Sequence, residues 1–147
     1  MNGIGWGRAL RGAPKRALLA VSLGGVVGAL ARYGVSLLFP KDPHHFDVAT
    51  FLVNVLGGFL IGMLMVFAVE LRPGTGYLRP FLGVGVMGGF TSFSAYILDI
   101  GRAVGAGERM LAVTYAFTTI AGALGAAALG MYAMRRIDRR FGIGVRE

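Results

Sequence analysis

The sequence predicts an all-α membrane protein built from four transmembrane helices, and three observations carry that expectation. Of its 147 residues, 55% are hydrophobic and 15% charged, whereas a soluble domain carries about 25% charged residues. Four apolar runs occur, each long enough to cross a hydrocarbon core of about 30 Å at about 1.5 Å per helical residue. The basic residues behind the net charge of +8 sit at the ends of those runs rather than in a stripe, a pattern of membrane topology and not of nucleic-acid binding. Cysteine is absent, which excludes disulfides and thiolate sites. The adjacent His44 and His45 fall in a polar loop that reads as a solvated turn.

Residues 1–16 are glycine-rich and basic, with Arg8, Arg11, Lys15 and Arg16, and read as a cytoplasmic tail. The first span covers residues 17–39. A basic flank followed by LLAVSLGGVVGALA imitates a secretory signal, but the apolar character runs on past Ala31 to give 23 residues in all, enough to cross. Residues 40–47, PKDPHHFD, form a polar turn whose two prolines stop the helix. The second span covers 48–69 and a loop covers 70–80. The third span covers 81–100, a connection through 99–109 closes it, the fourth covers 110–134, and 135–147 form a basic tail. The four spans leave no stretch for a soluble catalytic domain, so no enzyme is expected. Lysines and arginines number eleven on the side of the termini against three (Lys41, Arg102, Arg109) on the other, with Arg32 inside a span. Both termini are therefore expected in the cytoplasm, with the chain a multi-pass protein of the cell membrane.

The third span is unusual. Gly83, Gly85, Gly88 and Gly89 lead directly into Phe90-Thr91-Ser92-Phe93-Ser94, which predicts a broken helix at mid-membrane depth. Non-helical backbone is tolerated there only where it is buried in protein or lines a polar cavity, and interrupted helices mark ion or substrate sites. Small residues also recur four apart, at Gly24 and Gly28, Gly58 and Gly62, Gly85 and Gly89, and Gly122, Ala126 and Gly130, the spacing of closely packed membrane helices. Four short spans could hardly enclose a hydrated pathway alone, so association with a second subunit is expected.

All seven acidic residues fall in loops, tails or span ends. A proton-coupled cation exporter with four spans would need a mid-membrane carboxylate, so that reading loses weight. The spans instead hold donors: Asn54, then Thr91, Ser92 and Ser94 after the break, then Tyr115 and Thr119 four apart, with Arg32 as the one full charge. Donors and positive charge without a balancing carboxylate suit an anion. Plainer roles stand beside this: Asn54 bonding another helix, Ser and Thr bonding the preceding turn, Arg32 snorkelling to the interface, and Phe90 and Phe93 packing. Aromatic rings have positive edges, so Phe90 and Phe93, three apart, could meet an anion edge-on in a narrow passage.

At these residues the sequence resembles the Fluc fluoride channels, also called the CrcB family. GGVVGALARY (24–33), FLVNVLGGFLIG (51–62) and GGFTSFSAY (88–96) carry the resemblance. It implies a fluoride-selective passive channel that exports cytoplasmic fluoride and lowers its toxicity, formed as an antiparallel dual-topology dimer with two pores at the subunit interface. By motif position it implies that Phe90 and Phe93 are the paired pore phenylalanines, Asn54 the pore asparagine and Arg32 a vestibule residue. Ser94 falls in the hydroxyl-bearing stretch, and Tyr115 and Thr119 form a polar track, with Ala123 where a further hydroxyl would stand. It further implies a central structural sodium ion (Na+) held by backbone carbonyls near Gly85 and Gly88. An antiparallel homodimer needs nearly balanced charge, so the bias of eleven against three favours a heterodimer with a homologous subunit of opposite topology. The other readings are a small coupled exporter and a non-transporting membrane scaffold subunit.

Overall fold

The structure, a computed structural model, describes residues 15–71 and 76–143. Of the tail expected over 1–16 only Lys15 and Arg16 fall among the described residues, and Arg72 and Arg146 lie outside them. All the regular elements described are helical: α1 (Lys15–Leu38), α2 (Val48–Leu71), α3 (residues 80–90), α4 (Phe93–Gly105) and α5 (Arg109–Phe141). Helices are what apolar runs of this length must form, because a hydrocarbon environment offers the backbone no other hydrogen-bond partners. The four candidate spans are α1, α2, α3 with α4, and α5. Two stretches, Val66–Leu71 at the end of α2 and Pro80–Val86 at the start of α3, wind more widely as π-helix.

Local chemistry sets the helix ends. The Asp47 carboxylate accepts the Thr50 N–H at 2.7 Å and caps α2. Pro80 opens α3, where its missing N–H costs nothing because the first turn has no acceptor for it. Gly142, with φ 62°, closes α5 and donates its N–H to the Asp138 carbonyl at 2.7 Å, a left-handed conformation that glycine adopts without penalty. Two helices run further than the sequence suggested. α4 continues through Asp99 and Arg102 to Gly105, and those two charges form an ion pair one turn apart at 2.6 Å. α5 carries Arg135, Arg136, Arg139 and Arg140 as helix rather than tail. Arginine is a good helix former, and Arg135 is anchored to Glu70 of α2 at 2.6 Å and 3.0 Å.

The spans join along two glycine seams. α1 lies against α3, where β-carbons at Gly24 and Gly28 would collide with the Phe81 and Val86 carbonyls. From the other side, one at Gly85 would sit 2.7 Å from the Val21 carbonyl, and one at Gly89 would collide with that of Gly25. α2 lies against α5 in the same way, with Gly58 facing Ala123, Gly62 facing Ala127 and Gly130 facing Phe59. Backbones in contact make these residues structurally obligatory, because packing and not the hydrophobic effect holds helices together in lipid. Only Gly24 and Gly28 of α1 are buried, so its apolar flanks are left for lipid or another subunit.

Candidate functional site

The third span breaks at Thr91 and Ser92, which are extended (φ −76°, ψ 154° and φ −148°, ψ 107°), and not at the glycines. Gly85, Gly88 and Gly89 lie within α3, and two of them serve the seam with α1. The reason is hydrogen bonding. Glycine permits a break but supplies no replacement partner, whereas hydroxyls compete directly with the helical ladder. Thr91 donates its hydroxyl to the Met87 carbonyl at 2.9 Å, beside its own N–H at 3.0 Å. Ser92 accepts the Ala95 N–H at 3.1 Å and caps α4.

Asn54 of α2 completes the break. Its Oδ1 accepts the Ser92 N–H at 3.0 Å, and its Nδ2 donates to the Ser92 carbonyl at 3.3 Å. The side-chain amide thus replaces the helical acceptor that the Ser92 N–H has lost and adds a second donor to the Ser92 carbonyl, which keeps the Tyr96 N–H at 3.4 Å. One Nδ2 proton is left over, and Asn54 faces a groove that it lines with Gly58, Thr91, Phe93, Tyr96 and Thr119. The Ser92 N–H would otherwise bond the Gly88 carbonyl in an unbroken helix. The carbonyls of residues 88–90 therefore end α3 without a following turn, which is the condition for accepting a cation. Gly88 is exposed and nothing lies near its β-position, so its surroundings leave room for another chain. Gly85 lies a turn deeper, packed on Val21 and Gly24, and fits that role less well. Among the described residues no three His, Asp or Glu side chains are grouped to hold a metal.

Phe90 and Phe93 do not come together. The break turns the helix between them, so the three-residue spacing no longer places them on one face. Phe90 is half-buried, with its ring edge toward Gly57 and its backbone against Gly28. Phe93 is 73% exposed and its ring pairs with Tyr96 at 5.6 Å. Tyr96 is the second aromatic lining the groove, and the sequence reading missed it. It donates its hydroxyl to the Ala116 carbonyl at 3.0 Å and so ties α4 to α5. Its ring also lies 5.9 Å from that of Tyr115, which Phe46 meets edge-on at 5.0 Å.

Tyr115 and Thr119 are each 3% exposed, and no well-formed hydrogen bond reaches either hydroxyl among the described residues; the nearest polar groups to the Tyr115 hydroxyl are those of Thr50 and Thr119. Buried hydroxyls without a well-formed bond are rare in folded proteins and call for an explanation. Thr119 faces the groove of Asn54 and Phe93, with Ala123 at its apolar end. Tyr115 faces a second cavity, lined also by Lys41, Asp47, Asp99 and Arg102. Ser94 is exposed, with its Oγ 3.3 Å from that of Ser92. Arg32 lies on the far side of the break, in a cavity shared with Ser36, Lys41, Thr50 and Ser92. No carboxylate among the described residues pairs with it.

Asp99, expected at the end of the third span, lies inside α4 because the helix runs on to Gly105. Its side chain is 5% exposed, held by Lys41 at 3.0 Å and Arg102 at 2.6 Å. Neither partner could be read from the chain, since Lys41 is 58 positions away and Arg102 looked like loop. In the loop before α2, Asp42 is held below the ordinary carboxylate range by the His44 N–H at 2.8 Å and the His45 ring at 2.9 Å.

Four apolar helices, two glycine seams and a third span broken around a half-buried amide define a small multi-pass membrane protein. Residues 19–131 match the CrcB-like protein family, whose description reads camphor resistance, and the chain belongs to that family. It is 48% identical over 118 residues to fluoride-specific ion channel FluC 2 of Nocardia farcinica, covering 80% of this chain and 84% of the relative. It is 44% identical over 117 residues to fluoride-specific ion channel FluC 3 of Streptomyces avermitilis, covering 80% of this chain but 57% of that longer protein. Against fluoride-specific ion channel FluC 1 of Mycobacterium bovis the identity is 38% over 125 residues, covering 85% and 95%.

Proposed function

We propose that this protein is a passive fluoride channel rather than an enzyme or a pump. The observation that carries the reading is the pair of buried hydroxyls of Tyr115 and Thr119, which make no well-formed hydrogen bond among the described residues and adjoin each other, so that each can turn its O–H to a guest. Asn54 adds an N–H donor to the groove that Thr119 lines, and Phe93 a ring whose positive edge can turn to an anion. Among the described residues no carboxylate lines that groove, whereas the Tyr115 cavity beside it holds Asp42, Asp47 and Asp99 with Lys41 and Arg102. A small hard anion is costly to desolvate, so it needs several close donors in sequence. Asn54, Thr119 and Tyr115 supply them along one side of α2 and α5. Hydrogen fluoride crosses membranes as the neutral acid and ionises inside, so an open anion pathway is enough for export. The names of the relatives support fluoride as the ion.

The working unit in this reading is an antiparallel dimer in the plasma membrane, with pores along the subunit interface. Phe93, at 73% exposed, and the open side of Gly88 would be covered there. Sodium would be held between the subunits by carbonyls of residues 88–90 from each copy, where it supplies fixed positive charge. The basic bias toward the termini puts them in the cytoplasm and favours a partner homologue inserted the other way. Fluoride-loaded liposomes with an external fluoride electrode test the proposal. Efflux should need a potassium ionophore for charge balance and no proton gradient. An absence of efflux from the chain alone and from the chain with every opposite-topology homologue would refute it.

A further inference from the structure

We propose that Lys41 is a positioning residue for anion passage: its ammonium neutralises the Asp47 and Asp99 carboxylates beside the Tyr115 end of the path. The inference rests on the channel reading above. Lys41 belongs to the loop between α1 and α2, where a long cationic side chain would ordinarily reach for water. Its ammonium instead turns back onto α2 and α4, while the side chain stays 39% exposed. Its Nζ lies 3.0 Å from Asp47, 3.0 Å and 3.2 Å from the two Asp99 oxygens, and 3.3 Å from the Thr50 hydroxyl. Both carboxylates are nearly buried, at 10% and 5% side-chain exposure.

Lys41 is also the residue shared by the two cavities at this end of the bundle. One is lined by Arg32, Ser36, Thr50 and Ser92, and the other by Asp47, Asp99, Arg102 and Tyr115. An anion that reaches the Tyr115 hydroxyl therefore meets three carboxylates on the same cavity wall, Asp42, Asp47 and Asp99, of which Lys41 holds Asp47 and Asp99. With Arg102 on Asp99 at 2.6 Å, the four charges cancel. Without Lys41 the cluster carries one uncompensated negative charge. The other ionisable groups nearby make contacts that do not involve Lys41, Asp42 with the His45 ring at 2.9 Å and Glu108 with the His44 ring at 3.3 Å. Like charge at this range, in a site partly removed from water, opposes anion entry strongly.

A purely mechanical role, with Lys41 clamping the loop to α4, makes the opposite forecast for one double variant. Removing Asp99 as well would loosen such a clamp further, whereas it restores the charge balance. The test is fluoride efflux from liposomes containing the full chain, with its partner subunit if the wild type requires one. Lys41→Met should slow efflux at least about tenfold, and Lys41→Met with Asp99→Asn should return it to within about threefold of wild type. Lys41→Arg, which keeps the charge, should stay within about threefold and remains informative if Lys41→Met fails to assemble. Unchanged efflux in Lys41→Met, a double variant as slow as the single one, or a tenfold loss in Lys41→Arg would each overturn the inference. A wild-type protein that carries no fluoride overturns the channel reading and this inference with it.

Discussion

Replacing Asn54 probes the break and the path separately. Asn54→Leu keeps the side chain's bulk but leaves the Ser92 N–H without its partner at 3.0 Å, while the Ser92 carbonyl loses the amide at 3.3 Å and keeps the Tyr96 N–H at 3.4 Å. One unpaired buried backbone group costs about 1–3 kcal/mol, which the variant should lose in stability. Asn54→Asp keeps the acceptor for the Ser92 N–H and loses only the donor to a carbonyl that Tyr96 still serves, so its cost should be smaller. Its new charge, however, faces the groove. A like charge about 5 Å from the ion, at an effective dielectric constant of about 20, raises the barrier by about 3 kcal/mol, or more than about a hundredfold in rate. Denaturation in detergent reads the first effect and liposome efflux the second. The two variants should therefore rank oppositely relative to their cost: Asn54→Leu chiefly unstable, Asn54→Asp folded and closed to fluoride. Wild-type efflux from Asn54→Asp would remove this residue from the path, and wild-type stability of Asn54→Leu would show that Ser92 does not depend on it.

Because the Tyr115 and Thr119 hydroxyls make no well-formed hydrogen bond among the described residues, Tyr115→Phe and Thr119→Val should shift the unfolding midpoint little. Each should slow efflux about tenfold through loss of one hydrogen bond to the ion. A fall in stability without a change in efflux would assign them to packing. Phe93→Ile should depress efflux strongly, while Phe90→Ile, on the other side of the break, should not; equal losses would contradict the placement of Tyr96 as the second ring of the groove. Gly62→Val forces a side chain into the Ala127 carbonyl, so the bundle must separate there, and size-exclusion chromatography in mild detergent should show loss of the assembled species. A wild-type elution profile would mean that the α2–α5 seam can open without cost.

The spans and their seams were legible in the chain because the physics behind them is local. Apolar length alone dictates a membrane helix, and the four-residue spacing of Gly24 with Gly28, or Gly58 with Gly62, puts small residues on one face whatever they later meet. Donors unbalanced by carboxylates also pointed to the Asn54, Thr119 and Tyr115 side of α2 and α5. What could not be read was anything that depended on which partner arrives. Glycines marked the third span as breakable, but the break sits at Thr91 and Ser92 because Asn54 reaches that point and no other. Once it is there, the helical spacing of Phe90 and Phe93 means nothing, and Tyr96 takes the place beside Phe93. Asp99 looked like the end of a span until Lys41, 58 residues away, and Arg102 allowed it to be buried. Periodicity and composition determine helices, whereas the exchange of a helical hydrogen bond or a hydration shell for a distant side chain is decided only by tertiary contact.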